Sequence, residues 1–70
     1  MIKVGTAVQW KWGSGIATGK VIEVFTQDIT KTIKGSAITR KATPENKVFY
    51  IEQEDGDKVL KSASEIERAE

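Results

Sequence analysis

The stretch WKWGSGIATGKVIEV, residues 10–24, largely decides the fold of this 70-residue chain. Just before and inside it, Val8, Trp10 and Trp12 alternate with polar or small residues, which is the period-two pattern of a half-buried β-strand. The Gly-Ser-Gly run that follows predicts a turn. We therefore expect a strand that buries Trp10, and a return strand directly after the turn. Trp12 lies at the strand end, where it either covers the mouth of a barrel or stays partly exposed.

The return strand is long and must bend. Residues 16–26 are rich in β-branched side chains and exceed the length of an average strand. Val21 and Val24 have opposite parity, so a bulge near Ile22 is required if both side chains are buried. Gly19, which has no Cβ, suits a kink or a close backbone approach.

Residues 29–40 predict a second hairpin of a different kind. Apolar residues are few, threonines and bases are many, and Gly35-Ser36 can turn the chain. We expect an arm that extends beyond the body of the domain, with Ile33 and Ile38 near its tip. The alternative is that these isoleucines fold back onto Phe25 and complete the core.

The C-terminal third predicts a third hairpin and a short final strand. Residues 48–53 and 57–62 flank Asp55-Gly56, a type I′ turn signal, and residues 62–65 (SASE) form a capping-box pattern that suits a single 3₁₀ turn. The sequence thus predicts one all-β domain over residues 1–70, a small five-stranded SH3-like or Tudor-like barrel with a 3₁₀ turn before the last strand. The expected interior residues are Val8, Trp10, Val21, Val24, Ile51 and Leu60.

Several short motifs together resemble one known family. They are Gly15-x-Ala17-x-Gly19-x-Val21-x-Glu23-Val24, Ile33-Lys34-Gly35, Ile38-Thr39-Arg40, Tyr50-Ile51-Glu52-Gln53, Asp55-Gly56 and Val59-Leu60-Lys61-Ser62. From Val4 to about Glu67 the chain resembles the hypervirulence-associated Tudor-like family. The resemblance implies a Tudor-like, SH3-type barrel and no particular activity, because fold alone does not supply function. Thr6 stands where the family pattern has an aspartate. If that aspartate caps a turn, Thr6 can do so more weakly, and if it contacts a ligand, the ligand role does not carry over to this chain.

Composition argues against catalysis. The chain has no cysteine and no histidine, so thiol nucleophiles, imidazole bases and the usual metal ligands are missing. An acidic cluster at residues 52–57 is read as a solvated hairpin turn rather than a cation site. We expect no enzyme activity, no metal and no cofactor.

Charge and hydropathy indicate the setting in which the domain works. Residues 26–44 carry four bases against Asp28, a net charge of +3, whereas residues 45–70 carry four bases against eight acids, a net charge of −4. No apolar run approaches a membrane span, and no apolar leader follows Met1. We expect a soluble cytoplasmic protein without a membrane partner, as a monomer or weak homodimer.

These features favour a protein- or peptide-binding module that uses the exposed hairpin and the barrel rim. The alternative is a nucleic-acid-binding barrel in which the basic hairpin at residues 31–41 contacts phosphates and an aromatic ring stacks on a base. A methylated-ligand cage is disfavoured because the chain has only five aromatic residues and the core needs several of them. The candidate binding residues are Trp12, Tyr50, Lys31, Ile33, Lys34, Ile38, Arg40 and Lys41.

Overall fold

The structure, a computed structural model, describes residues 2–69. Within that range it contains seven β-strands, one 3₁₀ turn and no α-helix. The strands are β1 (Ala7–Trp12), β2 (Gly15–Phe25), β3 (Ile29–Ile33), β4 (Ser36–Arg40), β5 (Val48–Gln53), β6 (Lys58–Ser62) and β7 (Glu67–Arg68), with the 3₁₀ turn at Ala63–Glu65.

The strands form two antiparallel sheets. A five-stranded sheet has the order β6-β5-β2-β1-β7, and β3 pairs with β4 in a separate two-stranded sheet. The all-β prediction is confirmed. The large sheet has five strands, and the hairpin at residues 29–40 adds a two-stranded sheet of its own, which makes seven strands within residues 2–69. The final strand returns to β1, with Val8 opposite Arg68. Since β6 and β7 each have only one hydrogen-bonded neighbour, strand pairing does not close the large sheet into a barrel.

The long strand β2 bends where the sequence predicts it. The pairing of β2 with β5 slips between Val21, which faces Ile51, and Glu23, which faces Tyr50. This confirms the bulge at Ile22. A Cβ at Gly19 would lie 2.6 Å from Ile51 Cγ2 and 2.8 Å from the Glu52 carbonyl oxygen. The glycine therefore allows β2 and β5 to approach more closely than any side chain permits.

Two of the predicted turns differ in detail. The β3–β4 turn lies at Lys34-Gly35, one residue earlier than expected, because both residues have positive φ angles, 52° and 80°, as a type I′ hairpin turn requires. In the β5–β6 turn only Gly56 has a positive φ, 90°, and its N–H donates to the Gln53 carbonyl at 2.9 Å. The predicted type I′ turn at Asp55-Gly56 is therefore wrong, and the loop has three residues ending in a left-handed glycine.

The apolar side chains form two clusters, one on each face of β5. Phe49 and Ile51 contribute to the first, and Val48 and Tyr50 to the second, as the alternation along a strand dictates. The first cluster contains the buried residues Val8, Trp10, Val21, Phe49, Ile51 and Ile66, and the second contains Ala42, Val48 and Leu60. Trp10, only 5% exposed, is a core residue as predicted. Val24 is half-buried rather than inside, and packs against the first cluster.

The β3–β4 hairpin folds back onto the domain. Ile33 and Ile38 are half-buried and pack against the second cluster, together with Phe25 and Ile29. The prediction of a projecting arm with exposed isoleucines is therefore wrong. The physical reason is that the second face of β5 and β6 is apolar and needs a cover, which the isoleucines supply.

The N-terminal turn gives Thr6 a structural role. The Thr6 hydroxyl Oγ1 accepts a hydrogen bond from the Lys3 N–H at 3.0 Å, and the Thr6 N–H donates to the Lys3 carbonyl at 3.0 Å. Gly5 has a φ of 92°, which fits the third position of a type II turn. The buried Thr6 thus caps this turn, as one of the two sequence-based interpretations holds.

The 3₁₀ turn leads the chain from β6 back to β7. The Glu65 carboxylate accepts the Ser62 backbone N–H at 2.9 Å, which is the glutamate half of the expected capping box. Across residues 2–69 the structure has no helix with the length and hydropathy needed to cross a membrane.

Candidate functional site

A cleft of about 410 Å³ lies where the β3–β4 hairpin meets the end of β1 and the β5–β6 hairpin. It has the size of a typical ligand site. Its walls include five of the eight candidate residues, and other surface depressions beside Ile16 and Gly19 include none. The lining residues are Trp10, Trp12, Ile33, Lys34, Ile38, Arg40, Gln53, Asp55, Asp57, Lys58, Val59, Leu60 and Lys61.

Trp12 forms an open wall of the cleft. Its side chain is 72% exposed, although an indole is among the most apolar surfaces a protein can present. Its position explains this exposure: Trp12 is the last residue of β1 and pairs with Gly15, which has no side chain to cover it. Of the two alternatives for Trp12, the exposed aromatic is therefore correct.

The floor of the cleft is apolar. Ile33 and Ile38 reach it from the hairpin, and Val59 and Leu60 reach it from β6. Leu60 is buried, whereas the other three side chains are half-buried. A hydrophobic floor beside an exposed indole is the arrangement that binding pockets use to gain affinity from desolvation.

The charged residues of the cleft are mostly paired. Lys34 Nζ lies 2.8 Å from Asp57 Oδ2, and Lys58 Nζ lies 3.5 Å from Glu52 Oε2. The hydrogen bond and the charge of Asp57 raise the pKa of Lys34 above its ordinary value. Four basic and two acidic side chains line the cleft, so it carries a net charge of about +2.

Arg40 differs from the other bases of the cleft. Within residues 2–69 its guanidinium makes no ion pair, and its hydrogen bond is a long one of 3.4 Å from Nη1 to the Thr39 carbonyl. Arg40 is exposed at the end of β4 that lies away from the Lys34-Gly35 turn. It is therefore available to an anionic group in the cleft.

Lys31 and Tyr50 lie together outside the cleft. Lys31 Nζ lies 3.0 Å from Glu23 Oε1, 4.9 Å from the centre of the Tyr50 ring and 5.5 Å from that of Phe25. The lysine thus covers the two rings through cation–π contacts and is held by the carboxylate. The Tyr50 ring also packs on the second cluster. Residues of the chain itself therefore already contact this ring.

Lys41 is exposed and does not line the cleft. The basic residues at 31–41 consequently divide among three places rather than forming one patch. Lys34 and Arg40 line the cleft, Lys31 covers two aromatic rings, and Lys41 stands apart.

The acidic residues of the β5–β6 hairpin serve the turn and its ion pairs. The Asp55 carboxylate accepts the Asp57 N–H at 2.9 Å, which is a turn-forming contact, and Glu52 and Asp57 each pair with a lysine. Within residues 2–69 no group of three acidic side chains has the arrangement of a metal site.

Sequence reasoning missed the part of the cleft that β6 contributes, notably Val59 and Asp57. A signal was present in β5, where Val48 to Ile51 form an unbroken apolar run instead of an alternating one. Such a run indicates a strand buried on both faces. It implies a second covering layer, and hence a junction between that layer and the sheet.

The profile of the family described as "Hypervirulence associated proteins TUDOR domain" matches residues 5–66. The chain belongs to this family. The match confirms the resemblance inferred from the motifs in β2, β4 and β5. No curated protein and no solved structure matches the chain significantly. Tudor-like domains are in general binding modules and not enzymes, so membership of the Tudor-like family gives this domain a binding role in general and leaves the partner to be inferred from the cleft.

Proposed function

We propose that this Tudor-like domain is a non-enzymatic module that binds a segment of a partner protein. The segment binds in the cleft described above, which we call the Trp12 cleft. The observation that carries the proposal is that the 72% exposed indole of Trp12 lines the same cleft as the half-buried Ile33 and Ile38 of the hairpin. A bound apolar side chain would remove both from water. Aromatic anchors at the edge of an apolar depression are typical of interface hot spots.

The surrounding structure supports this role because part of the cleft is anchored in the core. The Lys34–Asp57 contact joins the β3–β4 turn to the β5–β6 hairpin, and Leu60 of the floor is buried in the second cluster. A preformed site loses less conformational entropy on binding than a flexible one. We also infer that the five-stranded sheet, with β7 returning to β1, curls as a partly open SH3-like barrel that carries the hairpin as an insertion.

Single-stranded nucleic acid is the second candidate. The exposed Trp12 offers a stacking face, and Arg40 offers a phosphate contact in the same cleft. Two observations disfavour it: Lys34 and Lys58 are paired with carboxylates, and Asp55 and Asp57 line the cleft, where they repel a phosphate chain. Peptide binding does not meet this repulsion, so it is the stronger candidate.

An NMR titration tests the proposal. The ¹⁵N-labelled domain is titrated separately with a mixed peptide pool, with single-stranded DNA and with RNA, each at low and at physiological salt. We expect the peptide pool to shift the Trp12 indole N–H and the amides of Ile38 and Val59, with little effect of salt. Shifts only with nucleic acid that vanish at physiological salt would favour the second candidate. Peptide-induced shifts confined to residues outside the cleft would refute the proposed site.

A further inference from the structure

The charges of the cleft specify which peptide fits best. Lys34, Lys58 and Lys61 each lie within 4.0 Å of a carboxylate of the chain, whereas Arg40 has no carboxylate partner among residues 2–69. An arginine presents a planar fork of donors that matches a carboxylate with two parallel hydrogen bonds. The partner group that Arg40 lacks in the free domain is therefore an acidic one.

The position of Arg40 on β4 sets the spacing between the two peptide residues that the cleft can contact. Ile38 and Arg40 are two residues apart on one strand, so their side chains point to the same face, and both line the cleft. Alternate residues of a β-strand are about 7 Å apart along the chain. An extended peptide has the same repeat, so residues at positions i and i+2 of the peptide meet Ile38 and Arg40 together.

The opposite end of the cleft has a different electrostatic character. At the Lys34-Gly35 turn the lysine is neutralised by Asp57, and Asp55 stands nearby on the β5–β6 hairpin. A second acidic residue of a peptide gains nothing there and is repelled by the carboxylate of Asp55, which makes no ion pair within residues 2–69. The cleft therefore favours one carboxylate at the Arg40 end rather than a uniformly acidic partner.

We propose that the cleft selects an extended peptide in which an acidic side chain lies two residues from a large apolar side chain. The apolar side chain packs between Trp12 and Ile38, and the carboxylate binds Arg40. This proposal rests on the proposed function and adds the chemistry of the partner to it. It follows from the juxtaposition, in one cleft, of an exposed indole, a half-buried isoleucine and a guanidinium that makes no ion pair within residues 2–69.

Blocked peptides that differ in one feature provide the test. Fluorescein-labelled peptides with an acetylated or labelled N-terminus and an amidated C-terminus carry Leu-Thr-Asp, Leu-Thr-Asn or Leu-Asp-Thr within a Ser-Gly context, and the same motifs in reverse order. Blocking the ends leaves the aspartate side chain as the only carboxylate that differs between the peptides, because the fluorescein label is common to all of them. Dissociation constants are measured by fluorescence anisotropy at physiological salt for the wild type and two variants, Arg40→Gln and Lys41→Gln.

We expect the Leu-Thr-Asp spacing, in at least one chain direction, to bind about fivefold more tightly than both its asparagine counterpart and the Leu-Asp-Thr spacing, as an accessible charge pair provides. Arg40→Gln should abolish this preference. Lys41→Gln, which removes the same charge outside the cleft, should retain it. Equal affinities of the aspartate and asparagine peptides for the wild type, or a preference that survives in Arg40→Gln, would overturn the proposal while leaving peptide binding intact. If neither acidic nor neutral peptides bind, the proposed function itself fails.

Discussion

Lys34 Nζ lies 2.8 Å from Asp57 Oδ2, and this ion pair joins the turn of the β3–β4 hairpin to the β5–β6 hairpin. The contact crosses between the two sheets, which share no strand pairing. Because Lys34 is largely exposed and Asp57 is partly exposed, the pair contributes little to the overall stability of the fold. Its importance is geometric, since it brings the two hairpins together at one end of the Trp12 cleft.

The pKa of Lys34 reports this contact. The hydrogen bond to Asp57 and the charge of Asp57 raise the pKa of Lys34 above its ordinary 10.5. A raised folded-state pKa means that the contact contributes fully below the unfolded-state pKa and is lost as the pH rises through the folded-state value. An NMR titration of the Lys34 side chain should therefore show a pKa above 10.5 in the wild type and a lower one in Asp57→Asn. Asp55→Asn is the control and should have the smaller effect. Identical titrations of wild type and Asp57→Asn would contradict the contact.

Gly19→Ala should strongly destabilise the domain. The new methyl group would lie 2.6 Å from Ile51 Cγ2 and 2.8 Å from the Glu52 carbonyl oxygen, and the backbone oxygen cannot move without breaking the β2–β5 pairing. Overpacking of this kind costs about 1–3 kcal/mol, which lowers the melting temperature of a domain of this size by at least about 5 °C. Gly15→Ala in the same strand is the control, since the nearest atom there is 3.9 Å away. Thermal melts followed by circular dichroism compare the two, and equal melting temperatures would refute the close approach.

Replacing Ile33 and Ile38 together with serine should destabilise the domain because both side chains cover the second cluster. We expect a loss of about 2 kcal/mol and a melting temperature lower by about 10 °C. Ile16→Ser provides the comparison, since Ile16 is 63% exposed and its replacement should change stability by less than about 0.5 kcal/mol. If the double variant had the melting temperature of the wild type, the isoleucines would not cover the second cluster. The hairpin would then be better described as a projecting arm.

Thr6→Ala should loosen the N-terminal turn. The substitution removes the acceptor of the Lys3 N–H while leaving the backbone bonds of the turn in place. Loss of one such hydrogen bond costs about 1 kcal/mol. Thr26→Ala, at an exposed bend after β2, is the matched control and should be close to neutral. Urea denaturation measures both, and a Thr6→Ala domain as stable as the control would show that the hydroxyl contact is not needed.

Local sequence features predict the central strands well because their causes are local. The alternation around Trp10 requires a buried indole, and the opposite parity of Val21 and Val24 requires a slip in register. Gly19 signals a close approach for the same reason: the constraint arises from the missing Cβ of that residue. Each of these features depends on a residue and its immediate neighbours along the strand.

The features that the sequence does not predict depend on contacts between distant segments. The hairpin at residues 29–40 has few apolar residues, and its fold-back follows from the second face of β5 and β6, about twenty residues away in the chain. The surroundings of Lys31 and Tyr50 likewise depend on the contact between the two side chains, which the residue types alone do not predict. The alternation of residues along β1 could not predict the exposure of Trp12. A period of two shows which side chains share one face of the strand, but it does not show whether another part of the chain covers the end of that face.

The affinity of Trp12→Ala for the blocked Leu-Thr-Asp peptide, in the chain direction that binds more tightly, is the most direct measure of the central claim. Trp12 is 72% exposed, so the variant should fold with a melting temperature near that of the wild type. Because the indole is the exposed wall of the cleft, its removal should weaken binding at least about tenfold, as expected for an aromatic anchor. An unchanged dissociation constant in the folded variant would contradict the account and place peptide recognition elsewhere on the domain.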